Sequence, residues 1–289
     1  MTLKRFIGTV KDYHRKSGRH DLPWRLTRDP YEILVSEVML QQTQVSRVLR
    51  KWPEFLRRFP TVQALARASV ADVLAAWQGL GYNRRALALK RAAEAVVRDF
   101  GGEFPRDAAA LESLPGVGPS TRGAVMAFAW DMPTVFIETN IRAVYLHHFF
   151  RDPKGTQKSG IHDRDILPLV EQTLDRHDPR SWYYALMDYG VHLKQTLPNP
   201  SRASRHHVRQ SAFKGSNREM RSRIVKAALE AKEKGITVEE ATKITGSTEE
   251  TKRTKNTKSA RKKKSVKENL QELTLEGFLV KRRGRYFCA

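Results

Sequence analysis

Across the first 200 residues, apolar side chains recur three and four positions apart, and no strict alternation persists long enough to make a strand. A chain patterned this way must bury one stripe of each segment against other helices, which points to an all-α body. Asp29-Pro30-Tyr31-Glu32 is a helix start: Asp29 suits the cap, Pro30 the first helical position and Glu32 the capping-box site. The pattern predicts a helix from there to about residue 52, stopped by Pro53. Further helices are predicted near 61–67, 70–77, 83–100, 107–113, 120–130, 139–149, 163–176 and 179–192, joined by short Gly- or Pro-bearing connections. Trp24 and Trp77 read as core.

The remainder reads differently. Residues 194–217 lack periodicity and carry Pro, Ser, Gly and basic residues, as a linker or surface wrap does. Three helices follow, near 218–234, 238–245 and 266–276, with a lysine-rich loop over 252–264 before the third. Two short strands, 278–281 and 285–287, flank Arg282-Arg283-Gly284. Three helices and a basic ribbon follow the order of a winged helix-turn-helix, a small α+β module that also serves protein–protein contacts. The expected organisation is a two-lobed helical domain over 1–193, a basic linker over 194–217 and this module over 218–289.

Charge narrows the partners. The chain holds 53 Lys+Arg against 31 Asp+Glu, a formal charge of +22. The excess is uneven: residues 201–289 hold 24 basic and 10 acidic residues, whereas residues 1–200 hold 29 and 21. Nucleic acid is the first candidate partner and an acidic membrane surface the second. The loop over 252–264 fits a solvated loop and a non-specific phosphate binder equally well. No apolar run approaches the ~18 residues that span a bilayer, and the N-terminal residues lack the apolar region of a secretory signal. A single cysteine, Cys288, excludes an internal disulfide framework and any multi-cysteine zinc or iron–sulfur site. A reducing, cytoplasmic setting is expected.

Between two helical stretches lies Leu114-Pro115-Gly116-Val117-Gly118. Two glycines one residue apart allow positive φ and expose backbone N–H groups at the start of the next helix, where an anion binds without any charged side chain. Taken in isolation, a tight turn explains the same residues. The stretch from Leu114 to Val125, LPGVGPSTRGAV, resembles the helix-hairpin-helix of the DNA glycosylase superfamily that includes endonuclease III and MutY-type enzymes. Other matches lie in the order that family requires: Leu22-Pro23-Trp24-Arg25, the stretch SEVMLQQTQV from Ser36 to Val45, Gly79-Leu80-Gly81-Tyr82, Asn140 within FIETNIRAV, and Met187-Asp188-Tyr189-Gly190. The likeness spans about residues 20–192, and SEVMLQQTQV is specific to MutY-type adenine glycosylases within it.

The resemblance implies roles. Glu37, on spacing alone an ordinary helix glutamate facing water, falls on the catalytic acid that protonates the departing adenine. A raised pKa would keep it protonated at neutral pH. Glu138 falls where relatives carry an Asp that stabilises the oxocarbenium-like sugar, with Asn140 beside it in the catalytic set. The extra methylene leaves three readings: a working variant, a shifted substrate, or a DNA binder without chemistry. Ser120 stands where strand-cleaving relatives carry a Schiff-base lysine, so lyase activity is expected to be weak or absent. The resemblance places Gln41, Gln42 and Thr43 at the intercalating loop, with Gly81 and Tyr82 beside the opposing base. Leu114 through Gly118 and Ser120 would grip phosphate, with Arg25, Lys262 and Arg283 as further DNA contacts. A monovalent cation at the hairpin, as in relatives, is also implied.

Two departures accompany the likeness. The four cysteines that hold an iron–sulfur cluster after the MDxG segment in relatives have no counterpart in residues 191–217, so no cluster and no other metal is expected. The basic residues Arg202, Arg205, His206, His207 and Arg209 stand there instead, and the His pair alone is a poor metal site. The Nudix-like C-terminal domain that reads 8-oxoguanine in MutY enzymes is replaced by the winged-helix-like module. The expected activity is removal of adenine opposite 8-oxoguanine or guanine by a monomeric, nucleoid-associated enzyme acting on double-stranded DNA. Removal of another base (mismatched thymine or uracil, or an alkylated base) and non-catalytic DNA binding are the alternatives.

Overall fold

The first helix, α1 (Leu3–Ser17), precedes every helix that the periodicity had located. Thr2 caps it by accepting the Arg5 N–H at 3.3 Å, and Phe6 and Val10, one turn apart, are fully buried. The helix expected over 30–52 is two helices. The first, α2 (Pro30–Leu40), starts where expected, with Asp29 accepting the Tyr31 N–H at 2.7 Å. The second, α3 (Val45–Arg58), runs through Pro53 instead of stopping there. Gln42 sits between them with φ of 57°. The reason for the break is tertiary. The buried residues of α2 join one core, while the Val48, Trp52 and Phe55 stripe of α3 joins another.

This computed structural model describes residues 1–151, 158–207, 212–246 and 264–289. The chain divides into two units, one of Met1–Gln42 with Asp99–Arg209, the other of Thr43–Arg98 with Gln210–Ala289. These units cut the chain elsewhere than the sequence-based boundaries at 193 and 218, because C-terminal side chains pack on the 43–98 helices.

In the first unit, α7 (Ala108–Ser113) and α8 (Pro119–Trp130) form the hairpin, and α2 packs on α8. Gly123 lets Phe136 lie against α8, since a Cβ there would meet the ring at 2.6 Å. Next come α9 (Thr139–Phe149), α10 (Asp163–Thr173) and α11 (Pro179–Thr196), with α11 packed on both α9 and α1. After α11, a short 3-10 turn (Pro200–Ala203) lies on α9. Pro200, Ser201, Ala203 and Ser204 are buried there, whereas Arg202, Arg205, His206 and His207 are exposed. Among the described residues, the packing at this point is therefore done by small and apolar side chains and not by these four; Arg209 lies outside the described residues.

In the second unit, α3, α4 (Val62–Arg67), α5 (Val70–Trp77) and α6 (Arg84–Phe100) are joined by α12 (Asn217–Ala231), α13 (Val238–Thr245) and α14 (Val266–Leu275). Strands β1 (Leu279–Arg282) and β2 (Arg285–Cys288) pair antiparallel through a two-residue turn. Arg283 and Gly284, at φ of 47° and 77°, make that turn, as the right-handed twist of a tight hairpin requires. Ile236 bridges Tyr286 and adds a third short rung. Glu276 anchors this segment to α6: its carboxylate accepts from Arg84 at 2.6 and 2.9 Å and from Arg221 at 2.6 Å, and its carbonyl accepts from Arg91 at 2.7 Å. The backbone N–H of Ala71 reaches the carbonyl of Ala289 at 2.8 Å.

Candidate active site

Glu37 lies late on α2, between the buried residues Ser36 and Val38. Burial disfavours its charged form, and the nearby Glu138 carboxylate adds to that; Arg25 opposes both. The balance raises its pKa to about 8, so Glu37 is mostly protonated at neutral pH. It nevertheless keeps a partly solvent-exposed surface, which a group that hands over a proton needs.

Glu138 is the N-cap of α9. Its Oε1 accepts the N–H groups of Asn140 at 2.7 Å and Ile141 at 2.9 Å, and its Oε2 accepts the Asn140 side-chain amide at 3.2 Å. The longer side chain thus curls back onto the helix start, and its charge is held against the positive end of the helix dipole. Asn140 is fixed from its other side, where Lys194 Nζ donates to Oδ1 at 2.7 Å. Burial lowers the pKa of Lys194, and the Glu138 charge partly restores it. Gly190, one turn before Lys194 on α11, allows the contact: a Cβ there would sit 2.3 Å from the Asn140 carbonyl oxygen. The sequence reading missed Lys194. Its only signal was the Gly190–Lys194 spacing, which puts both on one helix face.

The hairpin is anchored by Leu114 and Val117, both buried, while Pro115 and Gly116 are exposed. Gly116 has φ of 80°, a conformation that suits glycine; Gly118, at −97°, does not need that freedom. A Cβ on Gly118 would meet nothing within 4 Å, so its bare backbone faces open space. With Gly118 as cap and Pro119 first in the helix, no side chain covers the opening N–H groups of α8, and Ser120 sits half-buried among them. Arg122 braces the two helices by donating to Glu112 at 2.6 Å. No cluster of three or more His, Cys, Asp or Glu suited to a metal is found among the described residues. A cation at the hairpin would therefore rest on backbone oxygens; the Leu114 and Gly118 carbonyls each accept one N–H and retain a second lone pair.

Arg25 is the clear correction. Expected as a DNA contact, its side chain is 5% exposed and grips Asp188 bidentately at 2.8 and 2.9 Å. Its guanidinium also covers the Tyr184 ring at 4.3 Å. Asp188 further accepts from His14 at 3.0 Å and from Arg19. Burial alone would raise the Asp188 pKa, but these partners outweigh it and hold the carboxyl far below the usual carboxylate range. Arg25 is thus a buried strut whose charge also tempers Glu37.

Gln41 and Gln42 are exposed after α2, and Gln41 reaches the Thr121 hydroxyl at 3.4 Å. In the second unit, Thr43 contacts the Leu80 carbonyl at 3.4 Å, Gly81 is exposed and Tyr82 is half-buried. Arg283 is exposed at the tip of the β1–β2 hairpin. Lys262 and most of the loop over 252–264 lie outside the described residues. None of the described helices is long and apolar enough to cross a membrane.

Known proteins are similar to this arrangement. Residues 35–168 match the family "HhH-GPD superfamily base excision DNA repair protein". The adenine DNA glycosylase of Mycobacterium tuberculosis is 41% identical over 181 residues, covering 62% of this chain and 58% of the relative. The human adenine DNA glycosylase is 36% identical over 197 residues, covering 64% of this chain and 35% of the relative. The chain thus spans little more than half of the bacterial relative and about a third of the human one. A thermostable thymine-DNA glycosylase of known structure is 28% identical, with a TM-score of 0.59 over 65% of this chain and 86% of that one. A DNA complex of endonuclease III, 16% identical with a TM-score of 0.53, shares the fold over 65% of this chain and 85% of its own. Residues 35–168 are therefore similar to the HhH-GPD superfamily of base excision DNA repair proteins, and the chain is similar over about two thirds of its length to adenine DNA glycosylases.

Proposed function

We propose that the chain is a monofunctional DNA glycosylase that hydrolyses the N-glycosidic bond of a flipped adenine mispaired with 8-oxoguanine or guanine. The observation that carries this reading is the Glu37–Glu138 pair. One carboxyl is kept neutral by burial and by the other's charge, and that other caps a helix N-terminus, where it accepts two backbone N–H groups. A buried carboxyl beside one that caps a helix start suits the first to the role of acid and the second to that of electrostatic stabiliser. Glu37 gives its proton to the departing base as the bond to the sugar carbon breaks. The Glu138 carboxylate faces the cation left at that carbon. Water then forms the new bond to the carbon and returns a proton to Glu37, which regenerates the acid.

DNA is held by the bare N–H groups after Gly118, which suit a phosphate. The Leu114 and Gly118 carbonyls would be the groups to hold a monovalent cation, which would supply further neutralisation there. The exposed Arg283 and the C-terminal helices act as a winged-helix-like arm on the duplex. Ser120 offers no amine nucleophile, so strand cleavage by β-elimination is weak or absent. The enzyme works as a monomer, without an iron–sulfur cluster, on nucleoid DNA. A second reading, thymine removal from a thymine–guanine mismatch, is favoured by the likeness to the thymine-DNA glycosylase.

Base release from a panel of labelled duplexes tests both readings. Adenine should leave opposite 8-oxoguanine, and Glu37→Gln should abolish that release. Release of thymine in place of adenine supports the second reading. Release from no duplex, or full activity of Glu37→Gln, sinks the glycosylase proposal.

A further inference from the structure

The loop before α6 carries Tyr82 in the left-handed region, at φ of 50°, after Gly79 and Gly81 at 91° and 73°. A non-glycine residue holds such a backbone only where its surroundings determine it. The loop's carbonyls are gripped from within the 43–98 segment. Arg47 donates to Gly79 at 3.1 Å, Arg85 to Leu80 at 3.2 Å and to Gly81 at 3.0 Å, and the Trp77 indole to Gly81 at 3.1 Å. The aromatic tip is held from elsewhere. Arg218, at the start of α12, donates to the Tyr82 hydroxyl. The guanidinium carbons of Arg218 and Arg85 each lie 5.4 Å from the ring centroid, within cation–π range.

Arg218 has a rigid mount. Ser216 caps its helix, and Met220, two residues on, is buried. Arg221 pairs with Glu272 at 3.3 Å and with Glu276 at 2.6 Å. Glu276 in turn holds Arg84, two residues beyond Tyr82. The C-terminal segment therefore holds both the Tyr82 side chain and Arg84, where the loop enters α6. Tyr82 lies within the family match over 35–168, and Arg218 lies outside it.

We infer that Arg218 is a positioning residue for Tyr82, through which the C-terminal segment takes part in discriminating the base opposite the excised one. The inference rests on the glycosylase reading proposed above. A rotating tyrosine side chain would meet any opposing base equally; one clamped at its hydroxyl and ring presents a fixed edge, and a fixed edge discriminates. An arginine that merely met phosphate would strengthen binding to every duplex alike and would add to the salt slope.

The test is single-turnover adenine release by the full chain from duplexes carrying adenine opposite 8-oxoguanine, guanine or cytosine. It compares wild type with Arg218→Met, Arg218→Lys, Tyr82→Phe and Arg223→Met. Arg218→Met should cut the preference for 8-oxoguanine over the other two by about tenfold, the scale of one lost base-discriminating contact. Arg218→Lys, which keeps a cation and a donor, should recover part of it. Arg223, on the same helix but paired with Glu219 at 2.7 Å, should leave the preference unchanged when replaced by Met. If Arg218→Met slows all three duplexes by one common factor, the inference is overturned. If that variant does not fold, Tyr82→Phe, which removes only the hydroxyl, must lower the preference, and a full preference overturns the inference. Wild-type protein that releases no base from any duplex refutes the glycosylase reading itself, and this inference with it.

Discussion

Lys194 donates to Asn140 Oδ1 at 2.7 Å, and because an ammonium can only donate, it decides which end of that amide faces Glu138. Without it the amide is able to turn its oxygen toward the Glu138 carboxylate and withdraw a hydrogen bond from it. Lys194→Met should slow single-turnover base release about tenfold, equivalent to about 1.4 kcal/mol. Duplex affinity should stay the same, because the loss lies in the bond-breaking step. A changed affinity with an unchanged rate contradicts the role assigned to Lys194.

Glu138 caps α9 and, in the mechanism proposed above, also faces a cation; its variants should separate the two. Glu138→Gln keeps hydrogen-bonding capacity but loses the charge, so the rate should fall by roughly a hundredfold or more while stability falls by about 1 kcal/mol or less. Glu138→Asp can still cap α9, with its charge closer to the backbone, and should keep activity within about tenfold of wild type. The checks are release rates and urea midpoints measured on the same preparations. A charge-free Glu138→Gln with wild-type rate leaves no place for the stabilising role.

Asp188 ties α11 to His14, Arg19 and Arg25 from a site whose side chain is 2% exposed. Asp188→Asn strands the buried Arg25 charge and should cost about 3–5 kcal/mol at neutral pH. Its folded pKa lies below its unfolded value near 4, so this stabilisation is present above about pH 4 and is lost as the pH falls further. Unfolding midpoints of wild type and variant should differ widely at neutral pH and draw together in acid. A gap that stays constant through the acid range contradicts the linkage.

Gly190 has no room for a side chain, since a Cβ would lie 2.3 Å from the Asn140 carbonyl oxygen and 2.7 Å from its carbon. Both atoms are backbone, so the clash can be relieved only by moving α11 or the start of α9. Gly190→Ala should cost about 1–3 kcal/mol of stability, and it should also slow base release, because the displaced residue neighbours Glu138. Gly118→Ala, by contrast, meets open space and should leave stability nearly unchanged while weakening DNA binding. Equal effects of the two substitutions on stability contradict this distinction.

Local signals made much of this legible. Asp29, Pro30 and Glu32 announced α2, and the Gly-x-Gly turn between two apolar runs announced the hairpin, because caps and turns are decided by neighbours in sequence. Glu37 was visible only through the motif around it; periodicity cannot separate a buried glutamate from a surface one. The break at Gln41–Gln44 escaped because it depends on which core each helix joins, and no residue there forces a break. Arg25 was misplaced for a related reason: a basic residue near a DNA-binding motif reads as a contact until its partner, 163 residues away, is known. Lys194 and Arg218 meet their partners across 54 and 136 residues, and no local pattern marks either contact.

The central claim is that Glu37 acts as a neutral acid held so by burial and by Glu138. It is tested most directly by the pH dependence of single-turnover adenine release opposite 8-oxoguanine, from about pH 6 to pH 10. The rate should be level in the lower part of that range and then fall about tenfold per pH unit once the pH passes about 8, the value set for Glu37. Glu37→Gln should be inactive throughout. A rate that stays level through pH 8 and beyond, or a Glu37→Gln variant with the wild-type profile, contradicts the account.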